Sequence, residues 1–209
     1  MKDNRLAAAE EKVIKIFEIN ENLNYKYDIK IEGHTANVHY LYNMKEGKLL
    51  SSSADKTIKI WILSKNAYTC EITLEGHYKW VFNVIQLNNN NIASCSLDNT
   101  IKIWSGNFPY SNIKTLTGHT HGVTCIIQIK DGRIVSGSND DSIRFWNMST
   151  YECIENQTIY DVICCKMDSI TQVDDFRLFV GGWKFLTVIN IQTYQIMTKQ
   201  VKFHQMKKC

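Results

Sequence analysis

Histidine, serine and aspartate recur in this chain in an arrangement that could support nucleophilic catalysis. In three segments a histidine is followed by serines 17 and 19 positions later, an aspartate 21 positions later and a tryptophan 27 positions later. An aspartate that orients a histidine, which in turn activates a serine, is the chemistry of a hydrolase triad. The three sets are His34, Ser51, Ser53, Asp55 and Trp61; His77, Ser94, Ser96, Asp98 and Trp104; and His119, Ser136, Ser138, Asp140 and Trp146.

The repetition of the set argues against catalysis. A catalytic constellation is needed once, whereas these residues recur at intervals of 43 and 42 positions, each time after a Gly-His pair. An indole, a hydroxyl, an imidazole and a carboxylate can instead pass hydrogen-bond donors to acceptors in sequence. We therefore interpret the sets as structural tetrads and expect no catalytic residue. Both serines of a set lie on the same strand face, so either of them could be the tetrad member.

Short alternating segments must position these tetrads. The segments 57–61, 100–104 and 142–146 alternate apolar and polar residues and are rich in β-branched side chains, which is typical of strands. The first repeat predicts four strands, near residues 38–43, 48–53, 57–63 and 69–74. So small an antiparallel sheet cannot bury both of its faces alone, and copies of it must stack around an axis.

The repeated Gly-His, Ser-x-x-x-Asp and Ile-Lys-Ile-Trp elements resemble the WD-repeat (WD40-like) family of β-propellers over Gly33 to Asn147. The aspartate that often follows the tryptophan in this family is replaced by Ile62, Ser105 and Asn147. The resemblance implies an all-β propeller of four-stranded antiparallel blades, in which each histidine, hydroxyl, aspartate and tryptophan form a buried tetrad. It also implies a noncatalytic scaffold that presents one propeller face to protein or peptide partners.

The repeats predict one propeller domain, residues 1–209, with about five blades. It comprises strong repeats at 33–75, 76–117 and 118–157, a partial blade at 4–32 that lacks its first strand, a degenerate blade at 158–199 and a tail at 200–209. In the degenerate blade Thr158, Lys184 and Asn190 take the positions of histidine, aspartate and tryptophan, with an insertion near 168–175 in the first turn. The tail could complete the partial blade and close a five-bladed ring. Otherwise the ring is incomplete, because the chain is a fragment or because a partner chain completes it.

Positions that differ between the repeats indicate where a partner could bind. Tyr78, Lys79, Trp80 and Phe82 place aromatic bulk at the entrance to a strand, and exposed aromatic side chains are common binding hot spots. Alternatively, Phe82 and Trp80 pack between blades. The other candidates on the same face are His39, His121, Leu97 and Asn139.

Composition narrows the remaining functions. Lys and Arg number 24 against 21 acidic residues, and the resulting charge of +3 gives little attraction for nucleic acid or an anionic membrane. Seven cysteines without a CxxC pair, and no apolar run long enough for a membrane helix, predict a soluble intracellular protein with reduced thiols, cytoplasmic or nuclear. Neither a metal nor a cofactor is expected, because His119 and His121 lack a third ligand and no phosphate-binding glycine loop is present.

Two other functions stay open at this point. One is an RNA-associated propeller subunit of a ribonucleoprotein, which the weak net charge disfavours. The other is a substrate-recruiting subunit of a ubiquitin ligase complex. The arginine that the family uses for docking a cullin adaptor is missing, since Leu63-Ser64, Gly106-Asn107 and Met148-Ser149 follow the tryptophan positions.

Overall fold

The computed structural model of the chain is built from β-strands. It describes residues 5–19, 25–64, 67–154, 158–159, 167–182 and 186–199. These residues form nineteen strands and no helix, arranged as one three-stranded and four four-stranded antiparallel sheets. Within every sheet the spatial order of the strands follows their order along the chain. The predicted all-β architecture is therefore confirmed, and the four strands of the first repeat lie within two residues of their expected bounds.

The chain divides into two compact units, of which the first comprises residues 1–98 and 102–113. Its first sheet contains β1 (Arg5–Glu10), β2 (Val13–Ile19) and β3 (Tyr25–Ile31). The second sheet contains β4 (Val38–Asn43), β5 (Leu49–Ser53), β6 (Ile58–Ser64) and β7 (Ala67–Leu74). The third sheet, which lies largely in this unit, contains β8 (Val81–Gln86), β9 (Ile92–Ser96), β10 (Ile101–Trp104) and β11 (Asn112–Leu116).

The second unit comprises residues 99–101 and 114–209. The fourth sheet contains β12 (Val123–Gln128), β13 (Ile134–Ser138), β14 (Ile143–Asn147) and β15 (Glu152–Cys153). The fifth sheet contains β16 (Met167–Gln172), β17 (Arg177–Gly182), β18 (Leu186–Asn190) and β19 (Gln195–Lys199).

Neighbouring sheets of the first unit enclose apolar clusters. We call the side of a sheet that packs on the next sheet along the chain its trailing face, and the opposite side its leading face. The first cluster joins Ile14, Ile16 and Ile31 of the first sheet to Val38, Leu49 and Trp61 of the second. The second cluster joins Met44, Leu50, Ile58, Ile60 and Leu74 of the second sheet to Val81, Val84, Ile92 and Trp104 of the third. Each fully buried side chain of this size contributes about 1.5–3 kcal/mol, so trailing-on-leading packing is the main stabilising contact of these sheets.

The second unit repeats this packing between the fourth and fifth sheets. Its cluster contains Ile129, Val135 and Phe145 from the trailing face of the fourth sheet, and Leu178 and Ile189 from the leading face of the fifth. The same side of the first, second and fourth sheets therefore packs on the sheet that follows it.

The fifth sheet corrects one predicted equivalence. Asn190 Oδ1 accepts a hydrogen bond from the N–H of Gln192, just as Asn147 Oδ1 accepts one from Ser149 in the fourth sheet. Asn190 is therefore the counterpart of Asn147, the residue that follows the tryptophan. The assignment of Asn190 to the tryptophan position is wrong by one residue, and the fully buried Ile189 occupies that position.

Two further expectations about this region are also wrong. Ile159 pairs with Ile143 of the fourth sheet, so Thr158 ends that sheet and does not take the histidine position of the fifth. Asp168 lies within β16, and Gln172 pairs with Leu178 across the first turn just as Gln128 pairs with Ile134 in the fourth sheet, so this turn contains no insertion. Lys184 and the tail 200–209 lie outside the described residues. The single-domain interpretation and ring closure by the tail therefore stay predictions.

Candidate functional site

A hydrogen-bonded chain of four side chains runs through the second sheet. Trp61 Nε1 lies 2.8 Å from Ser51 Oγ, which lies 2.7 Å from His34 Nε2. His34 Nδ1 lies 2.7 Å from Asp55 Oδ2. Thr57 completes the network, because its hydroxyl donates to Asp55 Oδ1 at 2.6 Å.

The donors and acceptors of this chain can be ordered in one direction. The indole N–H of Trp61 can only donate, so Ser51 Oγ accepts from it. The serine hydroxyl then donates to Nε2 of His34, which must be unprotonated, and the Nδ1–H of the histidine donates to Asp55. This tautomer is assigned from the network, and it leaves the negative charge on a carboxylate with several donors.

The other two tetrads have the same geometry. His77 lies 2.7 Å from Asp98 and 2.9 Å from Ser94, whose Oγ accepts from Trp104 at 2.9 Å. In the third tetrad, His119 Nδ1 lies 2.9 Å from Asp140 Oδ2, and Ser136 Oγ bridges His119 and Trp146 at 2.8 Å from each ring. The structure therefore brings the first serine of each set, Ser51, Ser94 and Ser136, between histidine and tryptophan.

The second serine of each set has a different role. Ser53 donates to the carbonyl of Ala36 at 3.0 Å and accepts from the N–H of Asp55. Ser96 and Ser138 make the corresponding contacts with the carbonyls of Lys79 and His121. These serines tie the turn that carries the aspartate to the loop that carries the histidine.

The glycine before each histidine allows the tryptophan ring to pack against the backbone. Gly33 has a φ of +151°, and a Cβ at this position would lie 2.9 Å from the Trp61 ring. A side chain would therefore be strained at this residue and would also displace the indole.

Burial and hydrogen bonding act in opposite directions on the ionisable groups. Burial disfavours the charged form of Asp55, but hydrogen bonds from His34 and Thr57 outweigh it and hold the pKa of this carboxyl well below its ordinary value. The pKa of Asp140 is lowered in the same way, against its burial, by His119 and Ser142. Burial lowers the pKa of His119, although the Asp140 carboxylate opposes that effect. These two aspartates therefore stay ionised, and His119 stays neutral, at pH 7.

The tetrads offer no reactive hydroxyl to a substrate. Ser51, Ser94 and Ser136 are fully buried, and each Oγ already accepts from an indole and donates to an imidazole. A serine nucleophile needs an accessible Oγ and a histidine free to receive and deliver its proton. The arrangement instead satisfies the hydrogen-bonding capacity of buried polar groups, which stabilises the sheets.

Exposed aromatic side chains lie at the entrance to β8 in the first unit. Trp80 is 48% exposed, and its ring centroid lies 6.4 Å from Phe82 and 5.8 Å from His39. His39 also lies 5.1 Å from Phe82. Tyr78 is 63% exposed in the same loop. We call His39, Tyr78, Trp80 and Phe82 the Trp80 group.

The loop that presents the Trp80 group is held at several points. The carbonyl of Trp80 accepts the N–H of Leu97 at 2.9 Å, and the hydroxyl of Tyr78 donates to the carbonyl of Asp98 at 3.0 Å. Asp98 also accepts the backbone N–H of Tyr78 and belongs to a tetrad. Asp98, a member of the buried tetrad, therefore holds Tyr78 in place, and the N–H of Leu97 holds the backbone at Trp80.

The Trp80 group is mainly uncharged. Burial lowers the pKa of His39, so its imidazole is neutral at pH 7. Lys79, between Tyr78 and Trp80, is exposed and supplies a positive charge beside the rings.

The other candidate binding residues lie in the loops and turns that carry a tetrad histidine or aspartate. Leu97 is half-buried beside Trp80. In the second unit, Asn139 and His121 are exposed, and the carbonyl of His121 accepts from Ser138.

A glutamine contact that recurs between neighbouring sheets was missed by sequence reasoning. Gln86 Oε1 accepts the backbone N–H of Lys45 at 2.9 Å, and Gln172 Oε1 accepts that of Lys130 at 2.8 Å. Each glutamine ends the first strand of its sheet and bonds to the first turn of the preceding sheet. The shared position of Gln86, Gln128 and Gln172 in the repeat was the signal that could have revealed this contact.

The described part of the chain contains no cluster of three or more His, Cys, Asp or Glu residues arranged to hold a metal ion. Cys70, Cys95, Cys125 and Cys153 are thiols that form no disulfide bond. A helix of the length and apolarity needed to cross a membrane is likewise absent from those residues.

In the strong repeats, each sheet is associated with a buried network in which tryptophan, serine, histidine and aspartate are hydrogen-bonded in that order. A succession of such sheets along the sequence defines a β-propeller built from sequence repeats. Residues 26–61, 68–105 and 110–147, more than half of the chain, match the WD40 family, "WD domain, G-beta repeat". The chain therefore belongs to the WD40 family, and the predicted resemblance is confirmed.

Two relatives illustrate the similarity. The chain is 41% identical over 59 residues to the protein named Transcriptional corepressor LEUNIG_HOMOLOG of Arabidopsis thaliana, which is 28% of this chain and 7% of that protein. The structure of the present chain is similar to that of the WD40 beta propeller domain of Doa1, with a TM-score of 0.72 and 25% sequence identity. That match covers 87% of this chain and 58% of the solved one, so the chain spans less than two thirds of either relative.

Proposed function

We propose that the chain is a noncatalytic interaction scaffold that binds a protein or peptide partner through the Trp80 group. Membership of the WD40 family supports the scaffold role. The exposure of Trp80 supports this location, because a large aromatic ring that is half in water, on a loop fixed by hydrogen bonds, can bind without a large ordering cost.

The chemistry of the group indicates what such a partner offers. Neutral rings favour an apolar or aromatic side chain, and the exposed Lys79 favours a neighbouring carboxylate. An extended segment with one apolar residue beside an acidic residue fits both features.

The scaffold role also accounts for the buried serines and the free cysteines. The serine hydroxyls that could serve as nucleophiles are engaged in the tetrads. We place the protein inside the cell, where free thiols such as the exposed Cys70 stay reduced.

Comparative affinity purification tests this function. The wild-type chain, Trp80→Ala and the control Phe108→Ala are expressed at equal levels in cells, and captured proteins are quantified by isotope labelling. Phe108 is an exposed aromatic residue outside the Trp80 group, so its removal matches the loss of apolar surface. We expect Trp80→Ala to reduce a specific set of partners about tenfold or more, as removal of a hot-spot residue does, while Phe108→Ala retains them.

The opposite pattern would contradict the proposed site. Partners that depend on Phe108 and not on Trp80 would place the contact on another surface. Salt-dependent retention of the pure protein on RNA, unchanged in Trp80→Ala, would favour the RNA-associated function instead.

A further inference from the structure

The central residues of the trailing face are buried on the second and fourth sheets. On the second sheet Leu50 and Ile60, which pair across β5 and β6, are fully buried under the third sheet. On the fourth sheet the equivalent pair, Val135 and Phe145, is fully buried in the cluster shared with the fifth sheet.

The trailing face of the fifth sheet is apolar but more exposed. Phe179 pairs with Val188 at the position of Val135 and Phe145, yet both side chains are only half-buried. Val173 begins the first turn of this sheet and is 49% exposed, whereas its counterpart Ile129 is 1% exposed. This sheet therefore presents to solvent an apolar face of the kind that its predecessors bury.

The leading face of the first sheet shows the complementary exposure. Leu6 pairs with Phe17 as Leu49 pairs with Trp61 in the second sheet. Leu49 is 3% exposed because it packs in a cluster with the first sheet, whereas Leu6 is 54% exposed.

We propose that these two faces are the halves of an interface between copies of this chain, so that the fifth sheet of one copy packs on the first sheet of the next. Trailing-on-leading packing is the contact by which neighbouring sheets associate in both units, and these two faces carry apolar residues at its positions, of which Leu6 and Val173 are about half exposed. The contact is centred on the second and third strands of a repeat, which the first sheet retains as β1 and β2.

The two surfaces differ, so the association is head-to-tail. Each added copy then leaves one trailing and one leading face available, and the assembly grows with concentration unless the ring closes. This proposal is independent of the Trp80 group, which lies on other surfaces of the second and third sheets.

Sedimentation equilibrium of the full chain over about a hundredfold range of concentration tests the proposal. The trailing-face variants are Val173→Lys and Thr171→Arg, since Thr171 pairs with Phe179 across β16 and β17, and the leading-face variant is Leu6→Lys. All three residues are exposed, so the fold should tolerate the change. Ile113→Lys is the control, since it places the same charge at an exposed apolar position outside both faces. We expect the mass of the wild type and of Ile113→Lys to rise with concentration, and each face variant to sediment as a single chain.

Mixing variants distinguishes this interface from a symmetric one. Val173→Lys keeps an intact leading face and Leu6→Lys an intact trailing face, so an equimolar mixture should form complexes of two chains and no larger species. A wild type that stays a single chain throughout would overturn the proposal. So would a mixture that stays monomeric, because it would indicate a symmetric contact or closure within one chain.

Discussion

The indole Nε1 of Trp61 lies 2.8 Å from Ser51 Oγ, and this contact determines what the serine can do. Because the Ser51 hydroxyl accepts a hydrogen bond from the indole, it donates its own proton to His34. Each group therefore donates to the next, from Trp61 to Asp55. The same residue types that suggest a hydrolase are thereby arranged as a buried polar network.

Removal of a buried tetrad carboxylate should destabilise the fold. Asp98 accepts from His77 and from the backbone of Tyr78, and its side chain is completely buried. Asp98→Ala leaves these donors unsatisfied, and we expect the free energy of unfolding to fall by about 1–3 kcal/mol. Urea unfolding measures the loss. The control Asp175→Ala removes an exposed ion pair with Lys130 and should change the free energy of unfolding by less than about 0.5 kcal/mol. Equal urea midpoints for the two variants would show that the tetrad does not stabilise the fold.

Acid should destabilise the protein in two stages. The unfolded chain protonates histidine near its ordinary pKa of about 6.5, whereas folded His119 binds that proton only at lower pH, so stability falls as the pH drops below about 6.5. Asp55 and Asp140 have lowered pKa values in the folded state, so a second loss begins below their ordinary pKa of about 3.9. Urea midpoints measured from pH 7 to pH 3 should fall throughout. A midpoint that rises between pH 7 and pH 4 would be inconsistent with these shifts.

The glutamine contact between sheets should also contribute to stability. Gln86 accepts from the backbone of Lys45 and donates to the carboxylate of Glu46 at 3.1 Å. Gln86→Met keeps the length of the side chain but removes the acceptor of the Lys45 N–H. Because Lys45 is exposed and water can take the place of that acceptor, the change should cost about 0.5–1.5 kcal/mol in chemical unfolding. Gln195→Met, at an exposed position of β19, is the matched control. If both variants unfold at the same urea concentration, the contact does not stabilise the fold.

Strong repeats made much of the fold predictable. The fixed distance from each histidine to its tryptophan located the strands of the second, third and fourth sheets, because every marker residue has a packing or hydrogen-bonding role. The fifth sheet lacks these markers. Its Val180 and Ile189, both buried and apolar, lie at the positions of the tetrad serine and tryptophan. Neither of those two residues is therefore present to mark the register in the sequence. This is why Asn190 was placed one residue out of position.

Side-chain roles were harder to derive than strands. Period-two alternation puts Ser94 and Ser96 on one face, and only the distances from Trp104 and His77 show which serine lies between the rings. The exposure of Trp80 was also undetermined by sequence, since an aromatic residue at a strand entrance can pack between sheets or face water.

The tetrads stabilise the sheets, and we propose that the Trp80 group binds the partner. The most direct test quantifies partner capture by Trp80→Ala and Ser94→Ala in parallel, each at a temperature where thermal unfolding shows it to be folded. We predict that Trp80→Ala loses its partners with an unchanged melting temperature, whereas Ser94→Ala melts at a lower temperature and retains them. Full partner capture by folded Trp80→Ala would contradict the account.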